Sequence, residues 1–480
     1  MKILVHLPIG MHSPHLEVML AESKNIAKEF INAKLYFTYC TGNNVGCIFN
    51  PLKLKSLCYS CKSKTENGLS LLGNYKNSIK ESEKIKSARY DYFDMASFKS
   101  LEYEGYDIGY AALSTYISLT REVIIDFQSP SVRRVLDNLL DGAITSFKDF
   151  SRALQNTQPD LVLVHNGRLN TSKHVVYLCN LNNIDYRVIE YSIGTRRGVS
   201  FHNDIPHSIN ANVSKVNSVW DMADNIARVE VANDFFIKRR LSQSTNLASF
   251  TKQQTSGLLP DNWQTDSSNI LILNSSEDEF MSVGGEWEDT FFDSQLHGIE
   301  FLCKTYLHST HLKFWLRMHP NLSSAQPRYV EKFSNLENKY ANLHIIPPTS
   351  AISTYALIDN SSKVVVFGSS TGVEAAYANK PVILLGRCFY ESLGFVYRPT
   401  TTAELDTLIT DEDLKAIYNE NVLKIAFYWL KLGYEVDGIS IVKDKYHIFG
   451  KAVKTNLLAR GAYYLGKIHQ LFWKKFIARE

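Results

Sequence analysis

No run of about 18 apolar residues occurs anywhere in the 480-residue chain, so no spanning helix is expected. The N-terminal KILVHLPIG is too short, and broken too soon by Pro8, to be a signal peptide. Cysteine is scarce, seven in all, which excludes a disulfide scaffold and fits free thiols in a reducing compartment. There is no Pro/Gly/Ser tract and no long block of like charge, which excludes collagen, coiled-coil and tail-like architectures. HExxH, Walker A, GxSxG and GxGxxG strings are also missing, leaving protease, ATPase, serine hydrolase and dinucleotide enzyme without direct support. A cytoplasmic protein is expected.

What is present is ordinary globular composition, 45% hydrophobic and 21% charged, with length enough for two to four domains. The net charge of +3 is unevenly spread: residues 451–480 carry seven Lys/Arg against Glu480 alone, and the other 450 residues sum to −3. The basicity is a local property of the C-terminus, and no nucleic-acid partner is expected.

Short Val/Ile/Leu-rich runs alternate with helix-length stretches, the pattern of parallel strands buried on both faces, so the fold class is α/β. The first half has strands at Lys2–Leu7, Lys34–Tyr39, Asp160–His165 and Asp185–Ile189, with helices including Ser131–Gln155 and Asn217–Arg239. The second half has five, at Asn269–Leu273, Leu312–Met318, Leu343–Ile346, Lys363–Phe367 and Pro381–Leu385, enough for a doubly wound sheet. The polar stretch Ser242–Ser268 reads as a linker. Domains are expected at 1–262, 263–409 and 410–480, the last opening with a helix capped by Thr410 ahead of Asp411, Glu412 and Asp413.

Ligands of open α/β sheets bind beyond the carboxyl ends of the strands, so two tandem sheets are expected to border one crevice. In Val364–Gly386 a strand leads through Ser369, Ser370 and Thr371 into a helix whose first turn offers hydroxyls and N–H groups to an anion. The alternative is a capping box of Thr371 and Glu374 with no ligand. For His319-Pro320 the alternative is an ordinary strand exit.

Together with Arg317-Met318-His319-Pro320, the trailing Gly386, Tyr390 and Gly394, and Lys380-Pro381-Val382, this segment resembles the capsule polysaccharide biosynthesis family that includes the β-Kdo transferases. The resemblance covers Ile270 to Gly394 and departs from the family pattern at Asn379, where a glycine is usual. It implies a GT-B-like glycosyltransferase: two Rossmann-like domains facing a central crevice, the C-terminal one for a nucleotide sugar and the N-terminal one for an acceptor glycan, with no cofactor needed for transfer. Arg317, His319, Ser369, Ser370 and Thr371 would then stabilise the leaving phosphate and Glu374 would bind ribose hydroxyls. CMP-Kdo is the first donor to consider. The expected acceptor is a lipid-linked capsule or O-antigen glycan at the inner face of a bacterial cytoplasmic membrane. The rivals are a teichoic-acid-type polyol phosphate transferase and a non-catalytic glycan-binding component of an assembly complex.

The pieces Val164–Arg168, Glu190, Phe201–Asn203, Pro206–Ser208 and Ser275–Phe280 are similar to a pattern of surface-polysaccharide transferases. They nominate Asn166 and Arg168 for the acceptor side, and His12 joins them at the first strand exit, which in GT-B folds borders the acceptor site. Glu190, Asp278 and Glu279 are the carboxylates available to deprotonate an acceptor hydroxyl. Glu190 reads equally as an ion-pair partner of Arg168, Arg196 or Arg197, and each of His6, His12 and His15 reads individually as a surface or satisfied core residue. Cys40, Cys47, Cys58 and Cys61 fall within 22 residues, compatible with a structural zinc site or with free thiols. In residues 451–480, apolar Leu457, Leu458, Tyr464, Leu465, Ile468, Phe472 and Phe476 run among seven basic residues, and Trp473 stands near the end. This describes either an amphipathic helix on an anionic membrane or a helix folded back on the first domain.

Overall fold

The structure, a computed structural model, describes residues 1–42, 46–73, 76–77, 90–245, 247, 249, 251–288, 290–324 and 327–477. The chain forms two units: Met1–Thr120, Ile124–His207 and Gly433–Glu480 make the first, and Arg121–Val123 with Ser208–Leu432 the second.

The first unit is built on a sheet of β1 (Lys2–Leu7), β2 (Lys34–Tyr39), β3 (Lys76–Asn77), β4 (Leu161–His165), β5 (Asp185–Ser192) and β6 (Arg197–His202), in the order β3-β2-β1-β4-β5-β6. All neighbours are parallel except β5 and β6, which form an antiparallel pair. β1 is central, and Ile3, Leu4 and Val5 are wholly buried because both faces of the sheet are covered. The helix Pro130–Thr157 starts where Ser129 accepts from the Val132 N–H and Pro130 fills the first position. It buries Val132, Leu136, Leu139, Ala143, Phe147, Phe150 and Leu154, a stripe with helical spacing, and stops at Gln158 in the left-handed region (φ 47).

The second unit holds β7 (Ser268–Leu273), β8 (Leu312–Arg317), β9 (Leu343–Ile346), β10 (Lys363–Val366) and β11 (Val382–Leu384), all parallel, in the order β11-β10-β7-β8-β9. The winding reverses at β7 here and at β1 in the first unit, and both reversals leave a gap beyond the strand ends.

The unit boundaries differ from the sequence expectation. The second unit begins near Ser208, not at 263, because the helices Ile209–Asp221 and Asn225–Arg240 bury Val216, Trp220, Phe235 and Phe236 in its core. Their single predicted span is broken by Asp224, which caps the second helix by accepting from the Ile226 and Ala227 N–H groups. Ser242–Ser268 is no linker: Thr255 N–H donates to Ala351 O, Ser353 N–H to Leu258 O and Thr354 N–H to Gln254 Oε1, strapping the segment onto the second unit. Thr410 ends the helix Thr402–Thr410, which Thr401 caps, and the next helix is Asn421–Lys431, whose Val422, Ile425 and Ala426 join the same core.

From Gly433 the chain belongs to the first unit. Tyr434 pairs with Gly198 and donates its hydroxyl to Glu22 (2.8 Å). A small antiparallel sheet of β12 (Ile439–Val442), β13 (Lys445–Ile448) and β14 (Lys451–Ala452) buries Ile448. The helix Leu457–Ile477 then lies along the helix Lys55–Ser70: Ser60 Oγ donates to Ala459 O (2.7 Å), and Gln470 Nε2 donates to Phe49 O (2.7 Å). A Cβ on Gly466 would meet Leu57 Cγ at 2.4 Å, so the helices touch through a glycine, whereas Gly461 faces open space. Gly466→Ala is therefore expected to cost about 1–3 kcal/mol through overpacking, and Gly461→Ala to gain about 0.5–1 kcal/mol of helix propensity, both read by denaturant unfolding.

Candidate functional site in the second unit

The exits of β7, β8 and β10 meet around a cavity of about 1060 Å³, counting the open space at its mouth. β7 delivers Leu273 and Asn274; β8 delivers Arg317, Met318, His319 and Pro320; β10 delivers Ser369, Ser370, Thr371 and Glu374. Arg239, Thr251, Gln254 and Tyr355 complete its wall.

Arg317 is 4% exposed and donates to Pro347 O and Ser350 O (both 3.2 Å). No carboxylate pairs with it among the described residues, and its Nε is buried without a partner. Burial lowers its pKa to about 10, so at neutral pH it stays a cation lacking a counter-charge. A buried unpaired charge is costly, and an anion in the cavity would offset it.

His319 receives no such charge. Burial, the largest influence, pushes it down to about 4, with Asp278 pulling the other way and Arg121 reinforcing the fall. Its backbone N–H is anchored on Asn274 Oδ1 (2.8 Å), and its Nδ1 accepts from the Asn321 N–H (3.2 Å), which puts the ring proton on Nε2. Asn274 Nδ2 is buried with no partner, an amide donor short of an acceptor.

The β10 turn is shaped by close approach. Gly368 has φ 95, and a Cβ there would stand 2.6 Å from Arg387 O, so only glycine fits. Tyr390 OH donates to Ser369 O (2.6 Å) and fixes the turn from behind. Asn379, the departure from the family pattern, takes φ 57, a conformation asparagine tolerates.

Residues 263–426, which span β7 to β11 and most of this cavity wall, match the family described as capsule polysaccharide biosynthesis protein. Over this segment, about a third of the chain, the sequence is similar to the capsule polysaccharide biosynthesis family. No curated protein matches the chain. Among solved structures it is similar to the β-Kdo 2,4 transferase of Thermosulfurimonas dismutans KpsC at 11% identity, covering 56% of this chain and 79% of that one with a TM-score of 0.37. The β-Kdo 2,7 transferase of the same KpsC aligns at 15% identity over 67% and 89%, TM-score 0.34. The UDP-GlcNAc 2-epimerase of Neisseria meningitidis, bound to UDP-GlcNAc, aligns at 14% identity over 91% and 96%, TM-score 0.24.

Within the family segment, the capping box proposed for Thr371 and Glu374 does not form. Ser370 occupies the cap position without a side-chain cap bond, and Glu374 faces elsewhere: Arg239 Nη2 donates to its Oε1 (3.0 Å) and Tyr355 OH to its Oε2. Glu374 is 4% exposed. Arg239 and Tyr355 were not nominated from sequence, since Lys238-Arg239-Arg240 at a helix C-terminus reads simply as complementing the helix dipole.

The carboxylates nominated for catalysis are dispersed. Asp278 is engaged on both oxygens, by Arg121 (2.8 Å) and by the Ser276 hydroxyl, and does not line the cavity. Glu279 lies in the same short turn, its side chain outside the described residues. Glu190 lies in the first unit, within β5 and not after it, where it accepts from Asn166 Nδ2 (3.2 Å) and approaches His165 Nδ1 (3.7 Å). Arg168 instead donates to the hydroxyls of Ser114 and Ser118 (both 3.2 Å), and Arg197 to Gly433 O (3.0 Å).

The four cysteines share a region of the first unit, where burial, first of all, and mutual proximity push the Cys40 thiol up to about 12 and the Cys61 thiol up to about 11. Cys58 Sγ accepts from Asn50 Nδ2 and Cys61 Sγ from the Gly10 N–H, both at 3.1 Å. These four sulfurs are not brought within a metal's reach of one another; among the described residues the metal-ligating atoms that converge are those of His12, His15 and His165.

Because Glu374 and Arg239 hold each other's charge in a buried setting, Glu374→Ala is expected to lower unfolding free energy by about 3–5 kcal/mol. A double-mutant cycle with Arg239→Met reads the coupling: the double variant should be more stable than Glu374→Ala alone.

Proposed function

We propose that the chain is a glycosyltransferase of capsule polysaccharide assembly that binds the phosphate of a nucleotide-sugar donor in the second-unit cavity, with CMP-Kdo the first donor to test. The observation that carries the reading is the buried guanidinium of Arg317, without a carboxylate partner among the described residues, beside the switch point of a parallel sheet. A departing nucleotide gains negative charge on its phosphate oxygens, and donors already fixed in a water-poor site stabilise it without reorganising. Arg317 supplies the charge, neutral His319 an Nε2 proton, and Ser369, Ser370 and Thr371 hydroxyls around the same space. Glu374 lines the cavity with its charge already offset by Arg239, and a carboxylate oxygen holding one hydrogen bond has a lone pair left for a ribose hydroxyl. No resident cofactor enters this chemistry.

Thermal shifts with CMP, UDP, GDP and CDP-glycerol test the reading, since a ligand of the native state alone raises stability by mass action. The expected result is a shift with one nucleotide that disappears in Arg317→Met, together with a fall in sugar transfer of at least about tenfold, or about 1.4 kcal/mol of transition-state stabilisation. A shift with CDP-glycerol and polyol phosphate transfer would favour the teichoic-acid-type alternative. Glycan binding with no nucleotide shift would favour a non-catalytic assembly component.

The lipid-linked acceptor and the inner membrane face belong to the same proposal. No helix among the described residues is long and apolar enough to cross a membrane. The helix Leu457–Ile477 uses Ala459, Gly466 and Gln470 against the first unit, and its outer side exposes Leu457, Leu458, Tyr464, Leu465, Ile468 and Leu471 beside Lys454 and Arg460. The two expectations for this segment are thus compatible: one face is folded back and the other is free to meet a bilayer. The side chains of residues 472–480, including Phe472, Trp473, Lys474, Lys475, Phe476 and Arg479, lie outside the described residues. Leu458→Asp with Leu465→Asp should leave the melting temperature unchanged and abolish sedimentation with anionic vesicles; undiminished sedimentation would refute membrane docking.

A further inference from the structure

The gap beyond β1 and β4, the switch point of the first unit, is lined by His12, His15 and His165, whose chemistry the proposed transfer leaves unused. The Leu16 N–H donates to His12 O (3.1 Å), closing a helical turn that puts the residues at 12 and 15 on one side, their rings 4.2 Å apart. His165, the last residue of β4, stacks on His15 at 4.0 Å and meets His12 edge-on at 5.7 Å. One ring nitrogen from each of the three lies within 4.8 Å of the others.

We propose that His12, His15 and His165 form a binding site for a divalent first-row transition metal ion, zinc first, that leaves a coordination position open toward the cavity. Three imidazoles with one further position is a familiar zinc arrangement, and nitrogen ligands select zinc, copper, nickel and iron over magnesium and calcium.

The state of each ring fits that role. His165 Nδ1 lies 2.9 Å from Ile189 O, an atom that only accepts, so Nδ1 carries the proton and Nε2 keeps its lone pair. This is the support that metal-bound histidines usually have, with the Glu190 carboxylate 3.7 Å from the same Nδ1 adding negative charge nearby. His15 Nδ1 is buried with no hydrogen-bond partner. Burial chiefly, and the neighbouring imidazoles next, hold His12 down to about 4 and His15 to about 2, so both are neutral and can ligate at physiological pH. The nearby cation, Lys64, is held by Glu17 (2.9 Å). His6 beside them is not a ligand: its Nε2 donates to Thr171 O (2.8 Å) and its Nδ1 accepts from Thr38 Oγ1 (2.7 Å).

The test uses the full chain without a polyhistidine tag. After chelator treatment and dialysis, Zn(II) content is measured by mass spectrometry and Co(II) binding by absorption. The expected result is about one equivalent per chain and Co(II) d–d bands without thiolate-to-metal charge transfer. His15→Phe, which preserves a stacked ring, should weaken Co(II) binding at least about tenfold, and Cys58→Ser should leave it unchanged. Thiolate charge transfer, or metal lost in Cys58→Ser and retained in His15→Phe, would move the site to the cysteines and overturn the proposal. No retained metal would reduce the three rings to side-chain packing and overturn it equally. If His15→Phe does not fold, the wild-type Co(II) spectrum decides between imidazole and thiolate ligands.

Discussion

A guanidinium buried at the end of a parallel strand, with backbone carbonyls for company and no carboxylate among the described residues, is the constraint around which the second unit's cavity is arranged. Arg317 ends β8, the strand beside β7 at which the sheet reverses its winding, so the strand that buries its neighbours also carries the charge out of water. The carbonyls of Pro347 and Ser350 orient the group and leave its charge uncompensated. Among the described residues, the only carboxylate in the cavity wall, Glu374, is occupied by Arg239 and Tyr355. The two guanidinium groups therefore have separate duties: Arg239 holds the wall together, and Arg317 leaves the cavity attractive to an anion.

That division explains why the Ser369–Thr371 turn is better understood as a shaped surface than as a helix-end device. Its helix has seven residues and lacks a side-chain cap, so the geometry comes from Gly368 under Arg387 O and from Tyr390 gripping the Ser369 carbonyl. Both restraints come from the loop after β11, which belongs to the same matched family segment.

The strands were legible because burial on both faces leaves an unmistakable apolar run, as at Lys2–Leu7 and Lys363–Val366. So was the grouping of residues that line the second-unit cavity, since strand exits follow from the strands. What sequence could not supply was pairing at long range. Glu374 looks like a capping residue three positions after Thr371, and only the fold brings Arg239, 135 residues away, to its side. The polar stretch Ser242–Ser268 has a linker's composition, yet its backbone groups are spent on Ala351 and Ser353 and the Gln254 side chain on Thr354, partners that no local pattern announces. The short β6, RGVSFH, was missed because its mixed composition lacks the continuous run that marks the parallel strands.

The two sheets also separate what a fold determines from what it does not. Each reverses its winding at its first strand, β1 or β7, and each therefore opens a gap at the same topological place. One gap is lined by a permanent cation, an unpartnered amide and hydroxyls; the other by imidazoles near a carboxylate. A guanidinium offers a permanent charge and no lone pair for a metal, whereas imidazole nitrogens offer lone pairs, so the two linings present different chemistry. Topology places the gaps, and the residues that close each strand set the chemistry that lines them.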